Sequence, residues 1–279
     1  MDINNELLEQ IGKAASKGVF GAQAETTARR YAALDSLGVS AAIVSDFYSA
    51  ALDSGTTRMR DYFCQTLLVV YREAKKEDTA VAEAYAHALV RDYPSITGSA
   101  LSIRYKTLIE AGNSLRLVYG EKNPSHVWQQ TSRHFLAYSE FLNGLLGYLI
   151  IAWRCHLGKV IKPNVLNNTY GSKVQQFGKL PDSELFSHFL WLARPPLRNA
   201  IAHGTVWLDS ENEKVRFIDG RHEKKELELD LVEFMALVQI GSHLGSAYAA
   251  AMAAIVVFET ARGTHWDRLP GKLLKLLLS

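Results

Sequence analysis

Apolar residues along the first 120 positions recur mostly at helical spacing. The clearest face begins near Thr57 and carries Met59, Tyr62, Phe63, Thr66, Leu67, Val70 and Tyr71. Intervals of three and four residues are typical of an amphipathic helix packed on a core. Ser40 is the expected N-cap of a preceding helix that ends at Gly55, and Asp78 caps a following helix that reaches toward Pro94. The pattern therefore predicts a string of helices in this region.

The segment YGEKNPSH, residues 119–126, combines glycine, asparagine and proline, and predicts a boundary. Asn123 followed by Pro124 is typical of an N-cap and the first helical position. No residue that strongly breaks a helix follows before Gly158, the expected end of this helix. At about 1.5 Å per residue the predicted helix is about 50 Å long.

The next part of the chain mixes loop and short helix. Residues 160–180 are rich in Asn, Gly and Lys, and predict a loop. Asp182 is then expected to cap a short helix with its apolar side formed by Leu185, Phe186, Phe189 and Leu190. Two prolines, Pro195 and Pro196, follow and resist continuation of that helix.

The period of the pattern changes from helical to alternating after Gly204. The runs TVWL, VRFI and KELEL, separated by DSENEK and by a turn at DG, predict short strands of a hairpin or meander. Helical spacing returns from about Asp230 to Arg262. Within that helix, small residues in GSHLGSAYAAAMAA (241–254) favour close packing at the centre of a bundle or protomer. The tail LPGKLLKLLLS predicts a docking helix or a contact with a partner.

These elements predict an all-α fold with one small β-hairpin insertion. We expect a helical N-terminal region at 1–120, a four-helix bundle at 121–264 that carries a short third helix, and a tail at 265–279. The role of the N-terminal region does not follow from its pattern.

Composition and charge narrow the function classes. The net charge of +2 gives no bulk attraction to nucleic acid or membrane. Cys64 and Cys155 lack metal or disulfide spacing and suit a reducing compartment, and the N-terminus lacks the pattern of a signal peptide. The uncharged stretch 234–258 is long enough to span a bilayer, but its polar residues and many alanines favour a buried helix. We therefore expect a cytoplasmic protein outside the membrane.

The run RPPLRNAIAHGTVWL, residues 194–208, holds polar residues whose burial would be costly. On a helix of about 100° per residue, Asn199 and His203 lie about 100° and about 140° from Arg198. Ala202 falls within the same arc and presents a methyl group, which leaves space beside the polar side chains. The opposite side carries the apolar residues Leu197, Ala200 and Ile201. One side of this helix is thus expected to face the core and the other to offer three polar groups.

These residue types fit a specific chemistry. The prolines predict that the helix begins just before Arg198, and Gly204 ends it after His203. A histidine at a helix C-terminus is favoured as imidazolium, and can act first as general base and then as general acid. Arginine donors suit phosphate oxygens, and Asn199 can hold the imidazole or a ribose hydroxyl. Together they suit cleavage of RNA through its own 2′-hydroxyl.

The octapeptide LRNAIAHG resembles the R-x4-H motif of HEPN-domain proteins, with Asn after the arginine and Gly after the histidine. The resemblance covers about residues 122–262. Within the family, the chain looks most like the ribonucleases of bacterial toxin and defence systems. It implies a homodimer whose two motifs line one cleft, cleavage without metal or other cofactor, Arg198 as phosphate ligand, His203 as base or acid, and Asn199 as polar helper. A regulatory, antitoxin or sensor protein is a further implied partner. Thr205 stands where toxins controlled by nucleotidyltransferases carry tyrosine, which speaks against that control.

Other interpretations stay open at this point. Arg198 and His203 can be a polar pair that anchors a bundle or dimer in a non-catalytic interaction module. Arg198 can also hold the phosphate of a nucleotide in a sensor. Glu184 and His188 are expected to be a pair on a helix surface rather than a metal site. Lys173, Lys179, Lys224 and Lys225 are either candidate contacts to an RNA backbone or ordinary scattered surface lysines. The P-loop, G-x-G-x-x-G and G-x-S-x-G motifs are absent from the sequence.

Overall fold

The computed structural model describes residues 30–50, 54–118, 120, 122–219, 225–261 and 266–279, and these residues are mostly helical. Among the described residues, five helices lie before residue 160: α1 (Ser36–Ser49), α2 (Ser54–Glu77), α3 (Thr79–Ala86), α4 (Ser102–Val118) and α5 (Pro124–His156). Five more follow: α6 (Tyr170–Phe177), α7 (Ser187–Leu192), α8 (Pro195–Ala202), α9 (Leu231–Ala261) and α10 (Gly271–Leu278). Short 3-10 turns cover Pro163–Asn167, Ser183–Phe186 and Trp266–Arg268. The predicted mainly helical class is confirmed.

A small antiparallel sheet lies between α8 and α9, as the alternating pattern predicts. Its strands are β1 (Val206–Asp209), β2 (Lys214–Asp219) and β3 (Lys225–Asp230), in that order across the sheet. Val206, Phe217 and Leu227 are in register, and so are Leu208, Val215 and Leu229. The alternation places these apolar residues on the side facing the helices and most of the charged residues on the other side.

One continuous cluster of buried apolar residues extends from α1 to α10. The long helices α5 and α9 pack on each other, and α2 and α4 pack on both of them. Phe135 of α5 stacks on Phe234 of α9, with ring centroids 5.5 Å apart, and burying each ring contributes about 2–3 kcal/mol. The helices before residue 120 therefore share their core with those after it, and the boundary at that point stays a prediction.

Several predicted helix ends are confirmed. The side chain of Asn123 accepts a hydrogen bond from the His126 amide, 3.3 Å away, and Pro124 begins α5. Gly158 has φ of +62°, the left-handed conformation that a residue after a helix favours. Asp78 caps α3 by accepting from the Ala80 amide at 2.8 Å.

Other helix ends differ from the prediction. Ser40 lies buried within α1, and Asp35 is the cap because its carboxylate accepts from the Gly38 amide at 2.6 Å. The helix capped by Asp78 ends at Ala86, well before Pro94. Beyond it, Asp92 holds a loop closed by accepting from the amides of two later residues, Gly98 and Ala100.

The region expected to be a loop contains more structure. Thr169 caps α6 by accepting a hydrogen bond from the Ser172 amide. The prediction of a loop over residues 160–180, which is based on their Asn- and Gly-rich composition, is therefore wrong for the residues of α6. Asp182 makes no side-chain capping bond and has φ of +61°, so its predicted role as a helix cap is wrong. The tail forms α10, whose Leu273 and Leu277 are buried, as expected of a docking helix.

Among the residues that the structure describes, two helices are long and apolar enough to cross a membrane, Pro124–His156 and Leu231–Thr260. In the most apolar stretch of each, 83% and 67% of the residues are buried inside the protein. Both helices are thus placed as core helices of a soluble protein are, and the expected buried helix at 234–258 is confirmed.

Candidate functional site

The motif forms helix α8, whose first two positions are Pro195 and Pro196. Its inward side is formed by Leu197 and Ala200, each 1% exposed, with Ile201 half-buried. The outward side carries the exposed residues Asn199, Ala202 and His203, beside a partly exposed Arg198. The two-sided helix predicted from the sequence is confirmed, although it begins three residues before Arg198.

The end of α8 is fixed by backbone contacts on both sides of His203. The His203 amide donates to the Asn199 carbonyl at 3.0 Å, and Gly204 then adopts φ of +68°, a conformation that side chains disfavour. Thr205 donates its amide to the Ala200 carbonyl at 2.9 Å, and its carbonyl accepts from the Ile218 amide at 3.0 Å. The imidazole therefore projects from a rigid junction between the helix and the sheet.

Arg198 reaches from α8 to α5 and pairs with Glu140. Its Nε and one terminal nitrogen both donate to Oε1 of Glu140, the Nε at 2.6 Å. Its other terminal nitrogen donates to Oδ1 of Asn199 at 3.1 Å. About a quarter to a third of each charged side chain remains exposed, 27% for Arg198 and 31% for Glu140. The guanidinium is thereby held in one orientation at the edge of solvent.

Sequence reasoning missed Glu140, because 58 residues separate it from Arg198 and no local pattern links them. A usable signal was present: Glu140 is the one acidic residue in the apolar run HFLAYSEFLNGLLGYLIIAW (134–153). A carboxylate on a nearly continuous apolar helix face needs a partner when the fold closes. Arg198 is that partner.

Beneath this pair, α6 supplies two buried polar residues. Lys173 is 2% exposed and its Nζ donates to the main-chain oxygen of Asn143 at 3.0 Å. Burial, together with nearby Arg104, lowers the pKa of Lys173 to about 8, against an opposing effect of Glu140. Burial, with the charge of Glu140, raises the pKa of Tyr170. Lys173 is therefore wrong as a candidate contact to an RNA backbone, since it lies inside the protein.

The other candidates lie elsewhere. Lys179 and Lys225 are exposed, and Lys224 lies outside the described residues. The ring of His188 packs on that of Tyr62, with centroids 3.8 Å apart, and the Tyr62 hydroxyl donates to the main-chain oxygen of Glu184 at 2.9 Å. Within the described part of the chain, no cluster of three or more His, Cys, Asp or Glu side chains is placed to hold a metal ion.

The arrangement offers phosphate-binding donors and an exposed imidazole on one surface. A guanidinium carries five N–H donors, and the three bonds to Glu140 and Asn199 leave two for a ligand. His203 lies five residues further, about 7.5 Å along the helix axis at about 1.5 Å per residue. If Arg198 bound a phosphodiester, the imidazole of His203 would therefore lie beside the bound phosphate and could reach a neighbouring atom of the same RNA.

The chain matches no protein-family model, no curated protein and no solved structure.

Proposed function

We propose that this protein is a metal-independent endoribonuclease whose site is formed by Arg198, Asn199 and His203. The observation that carries the proposal is their placement together on the exposed side of α8, with the guanidinium held by Glu140. The resemblance of LRNAIAHG to the HEPN motif supports the same function, and suggests a toxin or antiviral defence system as its setting.

In the proposed reaction the RNA supplies its own nucleophile. His203 takes the proton of a ribose 2′-hydroxyl, and the resulting oxygen attacks the adjacent phosphorus. The bond from phosphorus to the 5′-oxygen of the next nucleotide breaks, and that oxygen leaves with a proton. The products are a 2′,3′-cyclic phosphate and a 5′-hydroxyl. Arg198 stabilises the charge that grows on the phosphate oxygens, and Asn199 holds Arg198.

A homodimer completes this scheme. One imidazole in one protonation state cannot remove the first proton and donate the second at the same moment. A second copy of α8 facing the first would supply a second His203 in the other protonation state. The exposure of Asn199, Ala202 and His203 leaves this side of α8 open to a second copy and to RNA. A regulatory or antitoxin protein that covers the same surface would restrain the nuclease.

The test is cleavage of a single-stranded RNA with EDTA present, compared with DNA of the same sequence. Wild type should cleave the RNA but not the DNA. The rate of RNA cleavage should fall at least a hundredfold in Arg198→Ala and in His203→Ala. Arg58→Ala, an exposed arginine on α2, is the matched control and should cleave like wild type. Equal activity of all variants, or loss of activity in EDTA, would overturn the proposal.

The ion pair between Arg198 and Glu140 favours a second candidate function. An arginine that joins α8 to α5 can serve mainly to anchor the motif helix in a non-catalytic interaction or nucleotide-sensing module. In that case Arg198→Ala would lower the melting temperature or break a dimer, and wild type would show no cleavage. A nucleotide that raises the melting temperature of wild type but not of Arg198→Ala would identify a sensor.

A further inference from the structure

Trp207 is an exposed aromatic ring close to the candidate site. Its side chain is 40% exposed, although tryptophan is normally highly buried. The other large apolar residues that the structure describes as exposed are aliphatic: Leu34, Ile103, Leu117, Val160, Val232 and Leu278. Trp207 is thus the one exposed indole in this set, and it lies on β1, directly after the motif.

The position of Trp207 relative to His203 is tightly limited. Trp207 lies four positions after His203, and an extended chain covers at most about 3.5 Å per residue, so their Cα atoms are within about 14 Å. Thr205, between them, is tied both to Ala200 of α8 and to Ile218 of β2. The indole and the imidazole are therefore carried by one connected unit of helix and sheet, with their Cα atoms at most about 14 Å apart.

The charges around Trp207 determine what can contact it. The register places Trp207 on the outer side of the sheet, opposite Arg216. The other charged residues of that side are Asp209, Lys214, Glu226, Glu228 and Asp230. Arg216 is bound by Asp209 at 2.8 Å and by Glu226 at 3.1 Å. With its carboxylates in excess over its cations, this side repels a phosphate backbone but not a neutral base.

We propose that Trp207 stacks on an unpaired base next to the scissile phosphate, which makes single-stranded RNA the substrate; this rests on the proposed function. The backbone then follows α8, where Arg198 has free donors, and one base turns toward the sheet. A base in a duplex is stacked between its neighbours and cannot reach the indole. Aromatic stacking accepts any of the four bases, so it selects for unpaired structure rather than for sequence.

The experiment measures binding of a fluorescent 2′-O-methyl RNA, which cannot be cleaved because its 2′-oxygen is blocked. Trp207→Ala should bind the single-stranded probe about tenfold to a hundredfold more weakly than wild type, and Trp207→Phe should retain most of the binding. The same probe as a duplex should bind wild type and Trp207→Ala equally. Val232→Ala, which shortens another exposed apolar residue, is the control. Melting curves check that each variant is folded.

The outcomes separate the two proposals. If wild type cleaves RNA and depends on Arg198, but Trp207→Ala binds and cleaves like wild type, the stacking inference is wrong and the proposed function stands. A change of mass in light scattering without a change in RNA binding would likewise overturn it, since Trp207 would then contact protein. If wild type neither binds nor cleaves RNA, both proposals fail.

Discussion

Nε of Arg198 lies 2.6 Å from Oε1 of Glu140, and this contact joins the motif helix to the longest helix of the core. Asn199 completes the arrangement from the neighbouring position by accepting from the guanidinium. The guanidinium of Arg198 is consequently oriented before any ligand binds. Catalytic groups that are held in the productive geometry in this way react faster than groups that must first be ordered.

Replacing Glu140 by alanine should lower the rate of RNA cleavage by about tenfold to a hundredfold, because a misplaced catalytic group loses rate steeply. The fall should occur in kcat more than in KM, since the freed guanidinium keeps its charge. Steady-state kinetics measure this. Glu233→Ala is the matched control, since it breaks a similar pair with Arg194 and should leave kcat near the wild-type value. Equal kcat in all three proteins would contradict the positioning role.

Replacing Arg198 by lysine tests whether charge alone is sufficient. Lysine keeps the positive charge but cannot hold Glu140, Asn199 and a phosphate at once with a planar group. We expect cleavage to fall by at least tenfold, with a change in the free energy of unfolding of less than about 1 kcal/mol, as is typical of a partly exposed pair. A lysine variant with full activity would show that orientation is unimportant. Urea denaturation and initial rates give the two quantities.

His134 should make the fold sensitive to mild acid. Its side chain is 1% exposed, neither ring nitrogen has a hydrogen-bond partner among the described residues, and burial, with nearby Arg116 and His243, lowers its pKa to about 4. In the unfolded chain the imidazole of His134 takes up a proton near pH 6.5, whereas in the folded protein it does so only near pH 4. The free energy of unfolding is therefore highest, as far as this group is concerned, above about pH 6.5, and it decreases as the pH falls from about 6.5 to about 4. At pH 5 the loss is about 2 kcal/mol.

The measurement is the free energy of unfolding in urea at pH 7 and pH 5. His134→Leu should be at least as stable as wild type at pH 7 and should lose about 2 kcal/mol less than wild type between the two pH values. His203→Ala, a change at an exposed histidine, should keep the wild-type difference. If His134→Leu keeps it as well, the acid sensitivity arises from other groups.

Gly241 permits α9 to approach α5 closely. A Cβ at this position would lie 2.5 Å from Cδ1 of Tyr138, which is closer than non-bonded carbon atoms approach each other in proteins. Gly241→Ala should therefore lower the free energy of unfolding by about 1–3 kcal/mol. Gly171→Ala is the matched control, because a Cβ there meets nothing within 4 Å, and helix propensity favours alanine. Thermal or urea unfolding that ranks the two variants equally would refute the close packing.

The features that could be predicted from the sequence are those that depend on residues close to each other along the chain. Asn123 and Pro124 begin a helix, and Gly204 ends one, through contacts within four residues. The period of apolar residues likewise predicted the strands and both sides of α8. Each of these features depends on backbone geometry that a short segment determines for itself.

What was missed depends on residues distant in sequence. Glu140 meets Arg198, and Lys173 meets the main chain of Asn143, only when α5, α6 and α8 pack together. Asp182 fails as a cap because its backbone is left-handed, which its residue type does not reveal. Long-range packing thus decided which charged groups are paired, which are buried and which face solvent.

The pairing of Arg198 with Glu140 also bears on how the proposed nuclease would find RNA. A polycation displaces condensed counterions from nucleic acid, and its affinity falls steeply as salt rises. Here the arginine brings its own counterion in the form of a carboxylate, and the chain as a whole has a net charge of only +2. Binding at this surface would release few ions, so it would depend little on ionic strength. Bulk cellular RNA would then compete weakly, and recognition would depend on the fit of the bound nucleotides.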